Sequence, residues 1–404
     1  MMRPDRRRVL GLGLAGAGAA SLGLGGFRLP GERKIDLWDT SRGGRLRGAV
    51  ISQRRVYHDI DGPEFLGPGP VGSPISDHSL AGLASSGANL LVLSMPGPWA
   101  VAAPYAPEPA IMDHLDRLVR RCERAGLFVV IGFRSGPGRS AFTFHRDSAG
   151  SWFPADRVDE HLWRSREAAD AWIGMWREVA RRLRDRGNVA GYLLMVEPNA
   201  NQVAPGPDGG DLEEWDPNRL ADHVAGTPAD WPALARRIAT GVREEDMETP
   251  ILVSPDGYAN RRFAGLLDLD AVPGQVLALH DYSPRAYTHQ RVENPVEYQP
   301  GDGAFEAPDR RYWMMGEFGV SRWAPGAGRY LAERIAALEA AGAGWSVFRW
   351  DTGWRLYENR ENRFNPRYGS APDAMLVDPG NALMQALEAG WQRNSLRPPG
   401  ALRL

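Results

Sequence analysis

The stretch Ile111–Phe133, IMDHLDRLVRRCERAGLFVVIGF, reads as an amphipathic helix, a glycine stop and an almost wholly apolar strand. Its first half places apolar residues three and four apart with charges between them, the pattern of one buried helix face. Gly126 then suits a helix C-cap that feeds the next element. The following run, Leu127–Phe133, shows no alternation, as expected for a parallel strand covered on both faces. Cys122 sits within the amphipathic run, so its thiol is read as buried helix packing and not as a nucleophile. As the single cysteine it also excludes an intramolecular disulfide and any cysteine-based metal site.

The same unit recurs from about Arg45 onward. Strands are predicted at 46–51, 89–94, 127–133, 190–196, 250–254, 275–280, 312–317 and 344–350. Helices are predicted at 76–87, 109–125, 160–187, 230–247, 258–268, 327–342 and 379–391, several ending in glycine just before a strand. The Pro- and Gly-rich connection 283–311 reads as a long loop over one face. Eight strands in this alternation point to the α/β class and a (β/α)8 TIM barrel, one domain with long βα loops over 34–395 and a tail at 396–404. No G-x-G-x-x-G turn follows the first strand, which argues against an open doubly wound sheet. The glycine-rich SGPGRSAF after strand three lacks the lysine of a phosphate-binding loop.

With 43% hydrophobic and 24% charged residues, the 404-residue chain can bury a large core. Its 48 basic and 50 acidic residues leave a net charge of −2, so no field favours nucleic acid or anionic lipid, and a neutral partner fits best. Fourteen tryptophans suit stacking on sugar rings, although tryptophan is also ordinary core material. Residues 1–33 are set apart as an export signal and linker. Arg6 and Arg7 form a twin-arginine-like pair ahead of an uncharged Gly/Ala/Leu run from Val9 to Phe27. The competing reading is a membrane anchor, for which that many glycines are poorly suited. Export to the periplasm or beyond is the expectation, with no membrane partner other than an uncleaved signal, and a monomer. The Ala-x-Ala-like site Ala17–Ala19 would leave a very short core, so the cleavage point stays open.

In a barrel of this type chemistry gathers at the C-terminal strand ends. Two strands finish in a carboxylate: YLLMVEPNAN puts Glu197 after strand four, and YWMMGEFGVSR puts Glu317 after strand seven. A charge placed after such an apolar run is costly unless it faces a polar pocket. Either one alone could be a structural ion pair. Two at matched positions across one opening suit hydrolysis of a glycosidic bond: about 5 Å apart, one attacks the anomeric carbon and the other protonates the leaving oxygen, while inversion needs a wider gap, and the sequence leaves both open.

These segments resemble glycoside hydrolase family 5 and the wider clan of related barrels. VEPN is similar to the family's Asn-Glu-Pro motif, HDYSP to its strand-six His-x-Tyr and GEFGV to its Gly-Glu-Phe-Gly; RGAVI and VFRWDTG are similar to its first and last strands. The resemblance covers roughly 45–395 in strand order. It implies a retaining hydrolase of β-linked oligo- or polysaccharide, with Glu197 as acid/base, Glu317 as nucleophile, His280 and Tyr282 as their supports, Trp350 as a sugar platform and no cofactor. Charge on Glu317 would then raise the Glu197 pKa toward that of a useful acid.

The sequence departs from that family at three places. Val196 stands where the family has an asparagine for the sugar 2-hydroxyl, with Asn199 or Asn201 as candidate substitutes. Strand two ends LVLSMPGPW without the arginine usual near the nucleophile, and strand three carries Arg134 in place of a histidine. Arg134 then supplies the missing charge, binds an acidic group on the substrate, or merely caps carbonyls. Trp99, Tyr105, Phe142, Phe144, Trp152, Trp354 and Tyr357 on the loops suit a polysaccharide cleft. Rival readings are a non-catalytic carbohydrate-binding barrel, a transglycosylase on the same fold and a metal-dependent hydrolase. No His-x-His or carboxylate cluster with ligand spacing is evident in the sequence, so no metal is expected.

Overall fold

The structure is a computed structural model that describes residues 33–61, 69–351, 362–374 and 376–401. The expected signal at 1–33 and the loop residues Trp354 and Tyr357 thus lie outside the described residues, apart from Arg33.

Eight parallel strands close on themselves: β1 (Arg47–Ser52), β2 (Leu90–Pro96), β3 (Phe128–Ser135), β4 (Val189–Leu193), β5 (Ile251–Val253), β6 (Gln275–His280), β7 (Trp313–Phe318) and β8 (Gly344–Asp351). Each strand pairs with its sequence neighbours and β8 returns to β1. The outer ring includes α1 (Asp77–Ser85), α2 (Pro109–Arg124), α3 (Arg166–Leu183), α4 (Pro217–Val224), α5 (Trp231–Glu245), α6 (Ala327–Ala340) and α7 (Ala382–Trp391). This is the (β/α)8 TIM barrel.

Alternation along the strands sorts the core into two layers. Val50, Leu90, Val92, Phe128, Val130, Leu252, Val276, Ala278 and Met314 fill the barrel interior. Ile51, Leu91, Leu93, Val129, Ile131, Leu277, Leu279 and Met315 face the helices, where the buried tryptophans of α3 and α5 join them. The segment Lys34–Trp38 precedes β1 and stops the end of the barrel opposite the strand C-termini. Leu37 and Trp38 belong to the interior cluster, and the Trp38 indole donates to the Ala190 carbonyl at 2.9 Å. Cys122 is buried on α2, and burial pushes its thiol up to about 12, so it stays protonated and inert.

Two elements differ from expectation. The helix predicted at 258–268 is a short turn, Asp256–Ala259, followed by a 3-10 helix, Arg261–Leu266. Gly257, Tyr258 and Ala259 all adopt φ near +64°, which no α-helix accommodates. Strand four is shorter than predicted. Regular pairing ends at Leu193, because the chain is turning toward Glu197, whose φ is +53°.

Candidate active site

The inward-facing positions continue to the strand C-termini, where Ser52, Ser94, Arg134, His280 and Glu317 ring the mouth. Glu197 enters from the chain beyond β4. A glutamate at φ +53° is strained, and such strain persists only where surroundings hold it. Arg139 does the holding. Its guanidinium donates to the carbonyls of Val196 at 2.9 Å, Glu197 at 2.7 Å and Arg134 at 3.0 Å, and reaches Asn199 Oδ1 at 3.3 Å. Arg139 comes from the turn after β3, where Gly138 adopts φ +65° and a Cβ would sit 2.8 Å from the Leu162 nitrogen. The glycine-rich SGPGRS segment thus serves backbone placement, a role that sequence reading did not assign.

Glu197 and Glu317 face one another with His280 between them. His280 Nδ1 lies 2.9 Å from Glu197 Oε1 and 3.6 Å from Glu317 Oε2. The Tyr282 hydroxyl donates to Glu317 Oε2 at 2.9 Å. One ligating atom from each of Glu197, His280 and Glu317 lies within 4.8 Å of the others, a spacing that a metal ion could also use. Chain positions 83 and 37 residues apart hid that cluster from a search for local ligand motifs. Both Glu197 Oε1 and Glu317 Oε2 are already within hydrogen-bonding range of protein donors.

Burial dominates the electrostatics and penalises every charge here. It raises the Glu317 carboxyl above its ordinary 4.5; the nearby His280 charge opposes this and the Glu197 charge adds to it. Burial pushes Glu197 the same way, but its hydrogen bond to His280 and the charges of His280, Arg134 and Arg139 bring it below 4.5. Burial lowers His280, yet Glu317 and Glu197 together outweigh it and lift the imidazole above 6.5. The expected elevation of Glu197 is therefore reversed in this structure. The raised imidazole and the lowered Glu197 carboxyl lie 2.9 Å apart, a pair placed to share a proton.

Not every expected residue reaches the mouth. Trp350 faces the opposite way: its indole donates to the Ser79 carbonyl on α1 at 3.0 Å, and its ring meets Trp391 of α7 at 6.0 Å. The pairing of β8 with both neighbours is irregular between Trp345 and Asp351, so side-chain parity shifts and Trp350 lands among the helices. A sugar platform at Trp350 is thereby corrected. Asn199 is also no substitute for the missing asparagine. It is fully buried, accepting from the Trp163 indole at 3.2 Å and from Arg139 and donating to Glu160 at 3.2 Å. Asn201 is likewise buried and donates to the Glu214 carbonyl at 3.2 Å. Arg134 does reach the mouth, stacked on Phe144 with its Cζ 3.8 Å from the ring centroid. Of the loop aromatics, Phe142 and Phe153 stack on each other at 4.5 Å, and Trp99 is tied to Glu178 of α3.

Comparison with known proteins agrees with this architecture. A β-xylosidase from Phanerodontia chrysosporium is 30% identical over 95 residues, a stretch that spans 24% of this chain and only 18% of that protein. Among solved structures, a glycoside hydrolase superposes with a TM-score of 0.58 at 16% identity, covering 86% of this chain and 99% of that one. Endoglucanase Cel5A from the hyperthermophilic Thermotoga maritima gives 0.55 at 15% identity, covering 88% and 100%. At such identities the two structures speak for the fold alone. The cellulase family, glycosyl hydrolase family 5, matches residues 71–353, well over half of the sequence. The chain therefore belongs to glycosyl hydrolase family 5.

Proposed function

We propose that this protein cleaves a β-linked oligo- or polysaccharide with retention, through a glycosyl-enzyme on Glu317. The observation that carries the reading is the closeness of the two carboxylates, whose facing oxygens are no more than 4.8 Å apart. Retaining enzymes place their carboxyl groups about 5 Å apart, whereas inverting ones need roughly 6.5–9.5 Å to admit water. Glu317 attacks the anomeric carbon as the bond to the leaving oxygen breaks, and that oxygen takes the proton of Glu197. His280 Nδ1, in hydrogen-bonding range, supplies Glu197 with that proton as charge builds on the leaving group. In the second half Glu197 draws a proton from water, the water oxygen bonds to the anomeric carbon, and Glu317 leaves. Tyr282 holds Glu317 in the attacking orientation.

The neighbours support β-linked glycan as substrate by their own descriptions: endoglucanases, one of them Cel5A with mannotriose or cellobiose, and a β-xylosidase. Trapping with 2-deoxy-2-fluoro β-glycosides should leave one sugar on the peptide containing Glu317, seen by mass spectrometry. A label elsewhere, or an α-configured first product by NMR, would overturn the reading. The metal-like spacing of Glu197, His280 and Glu317 gives a second reading its own test: dialysis against a chelator should leave turnover unchanged under the proposal and abolish it under metal dependence. Export through the signal at 1–33 belongs to the same proposal, supported by Arg6 and Arg7 before the uncharged run. Replacing both by lysine should retain the protein in the cytoplasm. Action as a monomer is also proposed, to be read by light scattering.

A further inference from the structure

Arg134 acts on the two glutamates through its charge but hydrogen-bonds to neither, and the proposed mechanism leaves its N–H donors without a task. It follows Phe128, Val130 and Gly132 in the inward parity of β3, and only 8% of it is exposed. Phe144 covers one face of the guanidinium. Of its five N–H donors, one makes a long 3.3 Å contact with Ser94 Oγ, and among the described residues no carboxylate forms an ion pair with it. The remaining N–H donors of this guanidinium are thus free to take the oxygens of an anionic group on a ligand.

The surroundings reinforce this. Ser52 pairs in register with Ser94 on the adjoining strand, and its buried hydroxyl has no hydrogen-bond partner. Nearby, burial and then the charges of Arg134, Arg54 and Arg349 press the His145 imidazole down to about 3, so it is neutral among cations. Arg54 is paired with Asp61, and the two glutamates are hydrogen-bonded by His280 and Tyr282, so Arg134 meets them through its charge alone and keeps its N–H fork for a ligand.

We infer that the sugar bound at the point of cleavage carries a carboxylate, and that Arg134, with the Ser52 hydroxyl beside it, binds that group. The inference rests on the hydrolase reading for its site but names the substrate class, a uronate-bearing glycan. A planar carboxylate matches the free fork of the guanidinium, and stacking on Phe144 fixes the fork's plane.

The test compares C6-oxidised cellohexaose with cellohexaose itself, two glycans of one linkage that differ in carboxylate against hydroxymethyl. Calorimetry on Glu317→Gln, which needs no turnover, should show about tenfold tighter binding of the oxidised glycan. The preference should vanish in Glu317→Gln/Arg134→Gln and persist in part in Glu317→Gln/Arg134→Lys, with circular dichroism confirming that each variant is folded. Equal binding of both glycans, or a preference that Arg134→Gln leaves intact, overturns the inference. A C6-sulfated cellohexaose that outbinds the oxidised form overturns the choice of carboxylate. Should the oxidised glycan bind selectively while the unmodified protein never cleaves it, the hydrolase reading fails and this one stands.

Discussion

At the residue scale, the site is governed by how one proton is distributed over three buried groups. Catalysis in the proposed direction requires Glu317 ionised and the His280–Glu197 pair protonated. Glu317 is raised above 4.5 and His280 above 6.5, so kcat/KM should rise through a limb above pH 4.5 and fall through one above pH 6.5. Because the His280 charge opposes the elevation of Glu317, His280→Gln should move the acid limb to higher pH; a limb that stays in place would separate His280 from Glu317. Tyr282→Phe removes the 2.9 Å hydrogen bond to Glu317 and should cost about 10- to 100-fold in kcat/KM, with the acid limb again moving upward. Much of this is legible in the sequence: Glu197, Glu317, His280 and Tyr282 each stand at or just beyond the end of an apolar run. What the sequence could not convey was the sign of the Glu197 shift, because it depends on which oxygen the imidazole faces.

At the element scale, the decisive device is the turn after β3. Eight strands were readable within a few residues, since burial on both faces leaves runs that no surface helix shares. The exceptions are local backbone events: the left-handed Glu197 that cuts β4 short, and the irregular pairing of β8 that turns Trp350 outward. Neither leaves a mark in hydrophobic pattern. The same turn predicts a behaviour unlike that of an ordinary buried arginine. Arg139 donates to the carbonyls on both sides of the Val196–Glu197 peptide and to that of Arg134, so its loss should displace Glu197, the proposed acid/base, before it disturbs the more distant parts of the cleft. Arg139→Lys is expected to lower kcat by roughly 100-fold with KM little changed. If KM rose as much as kcat fell, the arginine would be shaping the cleft generally and not the placement of Glu197.

At the scale of the whole molecule, the barrel separates the end that does chemistry from the end that secures the fold. Trp38 marks the second end. Its ring belongs to the interior cluster with Leu37 and Leu46, and its indole hydrogen on the Ala190 carbonyl ties the N-terminal segment to β4, the strand that leads to Glu197. Two outcomes can therefore be told apart. If the barrel transmits packing changes along β4, Trp38→Ala should disturb Glu197 and reduce turnover. If the interior layers act as independent plugs, the loss stays local, because Leu193 and Val196 form a further apolar layer between Trp38 and the mouth. Arg139 also fixes the Glu197 backbone from the β3 side, independently of what happens beneath. The second outcome follows from that arrangement. Trp38→Ala should lower the unfolding free energy by about 3–5 kcal/mol, read from the guanidinium midpoint, while kcat/KM at 25 °C stays within about twofold of the unmodified protein.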